Sequence, residues 1–559
     1  MRRRDFLLSS GICLSAAPLL KVPQAKAVDI NLNGSTRGPN YAPRNMYCWD
    51  SWYMPVGGQI HVYHLQRRRP GTKVSDVAHD SIGHAVTSNL IDWEQRPLAF
   101  GPNASNPYDD LQPWLGCAVW HEGRGYFFYT MRGSADHGQQ QHIALATTTD
   151  PDHWQRYEHN PIITPDSRWY STLERPIPGT TDCRDLIVVR APDNQGWYGF
   201  FASRQPGKEL PETSVIACAY SRDLIHWDQR PPAFAPAKYD CIEVPNVFEL
   251  NGRWYLTCLT GDGNRGKFSE PNLTAGTIYA VAERPEGPYQ ELADNVLLGA
   301  KSGRPISCRT VAFEGENYLL YTDMEREGHI DNGNTTLGTL TTPKLLRTDG
   351  ERLYAAYSPR IESRVSDELV GMNALPQLRL DKGVWGAVAF EMSTATWESG
   401  DSIRGYSRTG WGVASLGVAA DSFIFEVTVI LLQGVAAGVT LRMNGPKIVR
   451  TGTKQKDKEY KIYSGSVIAL DASDRSVFYA GLPGFESVEH RSAPISIGKP
   501  IRLRVVSRLE HLEVYVDDEL KLAFNRYLNI GGELGLFVDR GDAQFSDIRV
   551  RALRISRPS

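Results

Sequence analysis

Three acidic stretches carry carboxylates where strand-like segments begin. Their sequences are NMYCWDSWYMP (45–55), TDCRDLIVV (181–189) and DCIEVPNVFEL (240–250), and they hold Asp50, Asp185 and Glu243 at or just before apolar runs. Cleavage of a glycosidic bond needs such a set, because one carboxylic acid protonates the leaving oxygen while a second carboxylate attacks the sugar or activates water. A third can hold ring hydroxyls. The set predicts a glycosidase site, provided that the fold brings the three together.

A repeated segment indicates how the fold does so. The segment NLIDWEQRPLAF (89–100) returns as DLIHWDQRPPAF (223–234), and weaker copies lie at 147–163 and 282–292. The copies recur about every 60 to 70 residues with about four strand-like runs in each period, which is typical of a propeller blade. The aromatic residues at the matching position are Trp93, Trp154, Trp227 and Tyr289. Residues 36–365 hold about five such periods, so we expect a five-bladed β-propeller there.

The propeller explains how distant carboxylates can meet. The innermost strand of each blade lines the central axis, so residues on the first strands of different blades converge on one funnel. After about residue 370 the repeat stops, and short alternating strands such as 421–432 and 511–518 predict a C-terminal β-sandwich over 370–556. The stretch 359–377 is the expected linker. The predicted fold class is therefore all-β.

Composition excludes several classes of function. The chain has 559 residues, a length that suggests two to four domains, and a net charge of −3 without a basic run beyond the extreme N-terminus and Arg67–Arg69. We therefore expect no nucleic-acid partner and no binding to anionic membranes. Of the eight cysteines, all but Cys13 lie in the expected mature chain, without C-x-x-C spacing. Neither a metal site nor a disulfide framework is expected, and no cofactor.

The N-terminus predicts export. Residues 1–27 combine three consecutive arginines, Arg2–Arg4, with the run Phe6-Leu7-Leu8, a modest apolar stretch and a small-x-small site at Ala25-Lys26-Ala27. This pattern is typical of a twin-arginine signal peptide, and an ordinary secretory signal is the alternative. Either signal predicts a periplasmic or extracellular protein. No later run approaches the roughly 18 apolar residues of a membrane span, so the mature protein is expected not to cross a membrane.

The acidic stretches also resemble the signature motifs of glycoside hydrolase family 32, the invertase, inulinase and levanase group, and more loosely those of family 43. The segment GHAVTSNLIDWEQRPLAF (83–100) is similar to the glycine-histidine-alanine segment of family 32. The resemblance implies that Asp50 is the nucleophile, Glu243 the general acid/base and Asp185 the stabiliser of the transition state.

The residues expected to contact the sugar are Trp49, Gln66, Trp114 and Arg184. Gln66 matches a sugar contact of the family, and Arg184 stands beside Asp185 as in the family's arginine-aspartate motif. The surroundings depart from the family pattern: Trp49 replaces an asparagine, Leu186 a proline and Val244 a cysteine. The resemblance thus implies the catalytic carboxylates and leaves the sugar open.

The expected function is an exported, exo-acting, retaining furanosidase of the β-fructofuranosidase type, with a fructan or a sucrose-like furanoside as substrate. Three alternatives remain at this point. One is an inverting arabinofuranosidase of the family 43 type, in which Asp50 activates water. The second is a transferase that passes the fructosyl group to another sugar. The third is a carbohydrate-binding propeller without activity, against which the retention of all three carboxylates argues.

Overall fold

The computed structural model describes residues 40–70, 81–172, 181–209, 211–261, 268–269, 273, 275–301, 305–371, 395–451, 458–482, 486–527 and 530–554. These ranges contain 32 β-strands and three short 3-10 helices, Ser134–Asp136, Glu327–His329 and Pro359–Arg364. The predicted signal peptide at 1–27 and the end of the predicted linker at 372–377 lie outside them. Among the described residues, no helix has the length and hydrophobicity that crossing a membrane requires.

The first 21 strands form five antiparallel units, which we call blades I to V. Blade I contains β1 (Met46–Val56), β2 (Gln59–Arg68), β3 (Ser81–Thr87) and β4 (Glu94–Gln95). Blade II contains β5 (Trp114–His121), β6 (Arg124–Met131), β7 (His142–Asp150) and β8 (His153–Arg156). Blade III contains β9 (Cys183–Arg190), β10 (Trp197–Arg204), β11 (Ser214–Ser221) and β12 (Asp228–Phe234). Blade IV contains β13 (Ile242–Leu250), β14 (Arg253–Thr260), β15 (Ala275–Ala282) and β16 (Gln290–Ala300). Blade V contains β17 (Pro305–Phe313), β18 (Glu316–Arg326), β19 (Thr335–Leu340), β20 (Lys344–Asp349) and β21 (Arg352–Ala356).

The repeated segment forms the corner between the third and fourth strands of blades I and III. In blade I the Asn89 side chain accepts hydrogen bonds from the backbone N–H groups of Ile91 (2.9 Å) and Asp92 (2.8 Å). In blade III the Asp223 side chain accepts the same pair from Ile225 (2.9 Å) and His226 (2.8 Å). The residue after the acceptor, Leu90 or Leu224, has a positive φ in both copies. Asn and Asp side chains can accept hydrogen bonds from backbone N–H groups in a turn. The two copies of the segment therefore form the same corner.

The ring of blades closes between its two ends. Tyr41 exchanges two backbone hydrogen bonds of 2.8 Å with Leu340 of β19, and Cys48 of β1 pairs with Gly338 of the same strand. Blade I is thereby hydrogen-bonded to blade V through residues that lie about 300 positions apart in sequence. This closure places β1 beside β17, the innermost strand of the neighbouring blade.

The innermost strand of every blade is interrupted by a β-bulge within its first five residues. The pairing register shifts at Asp50 in β1, Leu115-Gly116 in β5, Asp185-Leu186 in β9, Val244-Pro245 in β13 and Ser307-Cys308 in β17. A bulge turns a side chain out of the regular alternation and re-aims it. In β5 only glycine fits, because a Cβ on Gly116 would lie 1.9 Å from the carbonyl oxygen of Phe128. The five bulges redirect side chains of the innermost strands, and Asp50 and Asp185 are among the bulge residues.

The remaining strands form a β-sandwich. They are β22 (Val365–Val370), β23 (Thr396–Ser399), β24 (Ile403–Ala419), β25 (Ser422–Thr451), β26 (Lys458–Asp471), β27 (Ser476–Leu482), β28 (Glu486–Ser492), β29 (Pro500–Arg508), β30 (His511–Val516), β31 (Glu519–Asn525) and β32 (Glu533–Leu553). β25 pairs with β26, β29 and β32, and its alternate residues, such as Phe423, Phe425 and Val427, lie in one large apolar core. β22 lies in the stretch expected to be a linker, where it pairs with β32.

A buried charge network joins the sandwich to blade V. Glu513 of β30 is 1% exposed and lies 2.8 Å from both the Lys344 ammonium of β20 and the Arg508 guanidinium of β29. The hydroxyl groups of Tyr321 on β18 and Tyr515 on β30 donate hydrogen bonds of 2.9 and 2.8 Å to the same carboxylate. Because removing one member of such a network leaves an unpaired buried charge, the network holds the two domains in one arrangement.

Candidate active site

The structure brings the three predicted carboxylates together on the innermost strands. Asp50 lies in the bulge of β1, Asp185 in the bulge of β9, and Glu243 directly before the bulge of β13. The Arg184 guanidinium links two of them, with Nη2 at 2.9 Å from Glu243 Oε2 and Nε at 3.6 Å from Asp185 Oδ2. The charges on Asp185 and Glu243 also act on Asp50. Blades I, III and IV therefore contribute one carboxylate each to a single cluster.

The backbone at these carboxylates is held in an uncommon conformation. Asp50 has φ 45°, Asp185 has φ 64°, and Val244, next to Glu243, has φ 52°. A residue with a Cβ adopts such left-handed values only when the surroundings impose them, and these residues cluster at functional sites. Here the β-bulges impose them, so the same local feature that strains the backbone also aims the side chains.

Asp185 is fixed from three sides. Its side-chain Oδ2 accepts a hydrogen bond of 3.0 Å from the Val244 N–H, and its own N–H donates to Thr130 Oγ1 of blade II at 3.1 Å. The Arg184 guanidinium provides the third contact. The carboxylate is 4% exposed. Asp185 is thus held rigidly between blades II, III and IV.

Asp50 has a different partner. The hydroxyl of Ser307, on β17 of blade V, donates a hydrogen bond to Asp50 Oδ1. The Ser307 side chain is fully buried, whereas Asp50 is partly exposed. A carboxylate held by one hydroxyl on one oxygen keeps its second oxygen available for a reacting group. This arrangement suits a nucleophile or a base.

The pKa values of Asp50 and Asp185 are both raised, by different combinations of neighbours. Burial raises the pKa of Asp50 to about 7; the hydrogen bond from Ser307 opposes this rise, and the charges of Asp185 and Glu243 add to it. Burial likewise raises the pKa of Asp185 to about 6, against the lowering effect of the Arg184 guanidinium and with a further rise from Glu243. Carboxyl groups with such raised values in a shared cluster are typical of sites that bind and release protons near neutral pH.

Arg184 is itself held by a second ion pair. Its Nη1 lies 2.7 Å from Asp182 Oδ1, and the other oxygen of Asp182 lies 2.7 Å from Arg204 Nε. Gln141 accepts a further hydrogen bond from Arg184 at 3.3 Å. Because Asp182 is 3% exposed and paired on both oxygens, the guanidinium cannot swing away from Glu243 without breaking a buried pair.

The other predicted sugar contacts lie around the cluster in different ways. Trp49 and Trp114 stand directly before the bulges of blades I and II, and both are partly exposed. Arg132 covers the Trp114 ring at 3.7 Å, and Arg67 lies 5.9 Å from the Trp49 ring. One face of each indole therefore lies against an arginine.

Gln66 lies within blade I. Its backbone pairs with Cys48 and Ser81, its side chain is 2% exposed, and its amide donates to Ser81 Oγ at 3.0 Å. The amide is thus engaged between β2 and β3. Its contact with a sugar remains a prediction.

Several residues of the cluster were not predicted from the sequence. They are Ser307, which holds Asp50, Asp182 and Arg204, which hold Arg184, and Arg309 of β17, which is 1% exposed at the same level. A charged residue inside the apolar run PISCRTVAF is the one signal that could have drawn attention to Arg309.

Comparisons with known proteins relate part of the chain to one family of enzymes. Residues 53–283 match the model of the glycosyl hydrolases family 32 N-terminal domain. The chain is 23% identical over 219 residues to a sucrose-6-phosphate hydrolase of Pediococcus pentosaceus, covering 39% of this chain and 36% of that protein. It is 34% identical over 156 residues to β-fructofuranosidase 1 of Zea mays, covering 27% of this chain and 21% of that protein. The chain thus matches about a third or less of the length of these curated relatives.

Solved structures extend the likeness to nearly the whole chain. Fructan 1-exohydrolase IIa from Cichorium intybus superposes with a TM-score of 0.62 at 15% identity, covering 93% of this chain and 98% of that one. The family 32 β-fructofuranosidase of Bombyx mori gives a TM-score of 0.58 at 18% identity, covering 94% and 96%. This likeness confirms the predicted fold class, a propeller followed by a C-terminal sandwich. The chain is therefore similar to glycoside hydrolase family 32 in the sequence of residues 53–283 and in its fold.

Proposed function

We propose that the protein is an exo-acting, retaining furanosidase that cleaves β-fructofuranosyl bonds. The observation that carries the proposal is the convergence of Asp50, Asp185 and Glu243 at the propeller hub, with Arg184 bridging two of them. Relatives supply the substrate class: structures with sucrose and with 1-kestose are known for the Bombyx mori and Cichorium intybus enzymes, respectively. A fructan or a sucrose-like furanoside is therefore the substrate we expect here.

The proposed reaction has two steps. In the first, an Asp50 oxygen bonds to the anomeric carbon while Glu243 transfers its proton to the departing glycosidic oxygen, so that the leaving sugar exits as a neutral alcohol. In the second, Glu243 takes a proton from water, the resulting hydroxide attacks the anomeric carbon, and the bond to Asp50 breaks. Two displacements restore the starting configuration.

The remaining residues position these groups. Asp185, rigidly held by the Val244 N–H and Arg184, can accept hydrogen bonds from ring hydroxyls as positive charge develops on the sugar. Arg184 fixes the Glu243 carboxyl at 2.9 Å. Trp49 and Trp114 provide apolar faces on which a sugar ring can stack. Such positioning accounts for a large share of the rate of a displacement reaction.

Export is part of the proposal. The sequence pattern of residues 1–27 supports secretion, which suits an enzyme whose polymeric or disaccharide substrate lies outside the cytoplasm. Immunoblots of periplasmic and culture fractions of a twin-arginine-competent host and of a host lacking that route would test it. Unaltered export in the deficient host would assign residues 1–27 to the general secretory route instead.

A substrate panel tests the activity. Sucrose, inulin, levan, arabinan and aryl arabinofuranosides are incubated with the enzyme, and the released sugar and its anomer are followed by NMR from the first minutes. We expect fructose released from chain ends with retained configuration. Inversion, or activity on arabinofuranosides alone, would assign the alternative family 43 chemistry, and transfer of fructosyl groups to sugar acceptors would identify a transferase.

Two variants test the roles of the carboxylates. Asp50→Asn and Glu243→Gln preserve side-chain volume and remove the nucleophile and the proton donor, so turnover should fall by at least about 10³-fold without loss of folding, checked by near-UV circular dichroism. Asp166→Asn is a matched control, since Asp166 forms its ion pair with Arg168, at 2.6 Å, and not with a residue of the cluster. Full activity in either test variant would refute the assigned roles.

A further inference from the structure

Arg309 carries a buried positive charge that the reaction scheme has not yet used. Its Nη1 donates a hydrogen bond to the Pro245 carbonyl oxygen of β13, and its side chain is 1% exposed. Its Nε and Nη2 have no hydrogen-bond partner among the residues that the structure describes. A guanidinium is charged in proteins at any ordinary pH, and burying one without a counter-charge is costly.

The groups that act on Arg309 lie on the innermost strands of other blades. In addition to Pro245 on blade IV, they are Asp185 on blade III, Cys117 on blade II, and Asp50 and Tyr53 on blade I. Two of these groups stay neutral: burial raises the pKa of Cys117 to about 12 and that of Tyr53 above its usual range. The remaining titratable partners of Arg309 are therefore the carboxylates Asp50 and Asp185.

The charge balance of the hub depends on Arg309. The cluster and the pairs that support it contain four carboxylates, Asp50, Asp182, Asp185 and Glu243, and three guanidinium groups, Arg184, Arg204 and Arg309. With one proton among these four carboxylates, three negative charges face three positive charges, and the hub is neutral. After the first step the proton has left Glu243 and the sugar has neutralised Asp50, so the hub is again neutral.

We propose that Arg309 is a positioning residue that sets the charge of the hub, so that its four carboxylates hold a single proton between them. This inference rests on the proposed function. Without the guanidinium the hub would hold one excess negative charge, and a buried site relieves such an excess by binding a second proton. That proton would go to Asp50 or Asp185, and the nucleophile or the stabiliser would be lost.

The Arg309 guanidinium opposes the effect of burial on the pKa of both carboxyls. Burial raises the pKa of Asp50 and of Asp185, and the Arg309 charge lowers both. The Ser307 hydrogen bond also lowers the pKa of Asp50, and the Arg184 charge lowers that of Asp185. The Glu243 charge raises both values, and the Asp185 charge further raises the pKa of Asp50. The acid limb of kcat/KM in the natural enzyme is therefore expected between about pH 6 and 7, where these carboxyls titrate.

Two variants of Arg309 isolate its charge. Arg309→Gln keeps a hydrogen-bond donor for the Pro245 carbonyl and removes the charge. Arg309→Lys keeps the charge and removes the planar guanidinium. Loss of an opposite charge near a carboxylate raises its pKa by about 1 to 3 units. We therefore expect the acid limb of Arg309→Gln to move up by at least about one pH unit, with much of the activity recovered at pH 8.5. The acid limb of Arg309→Lys should stay within about half a unit of the natural enzyme.

A measurement without substrate separates this inference from the proposed function. The unfolding temperature of the natural protein and of Arg309→Gln is compared from pH 4 to 8.5; the variant should lose stability relative to the natural protein above about pH 6, where the hub carboxyls of the natural protein ionise and those of the variant still hold protons. If furanosides are not cleaved but this pattern appears, the proposed function fails and the charge role of Arg309 stands. An unshifted acid limb in a folded Arg309→Gln, or equal shifts in the Gln and Lys variants, would overturn the inference. Should Arg309→Gln not fold, the Lys variant alone decides.

Discussion

Removing the Asp50 carboxylate should stabilise the protein while it abolishes turnover. The folded-state pKa of Asp50 is about 7, raised chiefly by burial, whereas the unfolded chain has a value of about 4. Because the folded value is raised, the folded state holds its proton more tightly, and the fold loses stability as the pH rises from about 4 to about 7. Asp50→Asn has no proton to lose and keeps an oxygen that can accept the Ser307 hydroxyl.

The magnitude follows from this difference. A tenfold change in proton affinity corresponds to about 1.4 kcal/mol, so a difference of about three pH units gives an upper limit of about 4 kcal/mol above pH 7. Solvent reaches part of Asp50 and screens it, so about half of this limit is a realistic gain. At about 2 kcal/mol, the unfolding temperature should rise by at least about 2 °C at pH 8 and not at all at pH 4.

Scanning calorimetry of both proteins from pH 4 to 8.5 provides the assay, with Asp223→Asn as a control of opposite sign. Although partial burial opposes it, hydrogen bonds from the His226 side chain and from the His226 and Ile225 N–H groups lower the pKa of Asp223 to about 2. Its contribution is present above about pH 4 and lost below, so this variant should be less stable at neutral pH, by no more than about 1 kcal/mol because the side chain is half exposed. A difference between Asp50→Asn and the natural protein that does not grow with pH would refute the reasoning.

Three further variants and one control probe the scaffold of the site. Glu513→Gln leaves Lys344 buried without its counter-charge and should lose about 3 to 5 kcal/mol in urea unfolding; Glu519→Gln, on a partly exposed ion pair, should lose less than about 1 kcal/mol, and equal losses would contradict the role of the network. Gly116→Ala puts a Cβ 1.9 Å from a carbonyl oxygen of the facing strand and should destabilise the protein by more than about 1 kcal/mol in the same assay, whereas an unchanged midpoint would mean that the bulge can shift freely. Asp182→Asn frees the guanidinium beside the acid/base and should lower kcat by about 10- to 100-fold in a sucrose assay with KM little changed; a change in KM alone would assign it to substrate binding.

The sequence predicted those features that are local in the chain. The corner at 89–100 and 223–234 is built from side-chain to backbone hydrogen bonds within a few residues, so its repetition is visible in the residues themselves. The period of the repeat predicted the blades. The blades in turn predicted that Asp50, Asp185 and Glu243 converge. The signal peptide and the cellular location remain predictions.

The partners of the carboxylates could not be predicted in the same way. Ser307 and Asp50 lie 257 positions apart, and Arg184 and Glu243 lie 59 apart, so each contact exists only once the ring has closed. The bulges that aim these side chains depend on the register between strands, which single residues signal weakly. Gly116 inside a strand-like run is the exception, because an interior glycine indicates a bulge or a close approach.

The most direct test of the account is to identify the residue that bonds to the sugar. Glu243→Gln is incubated with an activated aryl fructofuranoside, whose leaving group needs no protonation, and its peptides are then analysed by mass spectrometry. The account predicts one fructosyl unit on the peptide that contains Asp50, and none in the double variant that also carries Asp50→Asn. A sugar bonded to any other residue, or substrate consumed by the double variant at the rate of the single one, would contradict it.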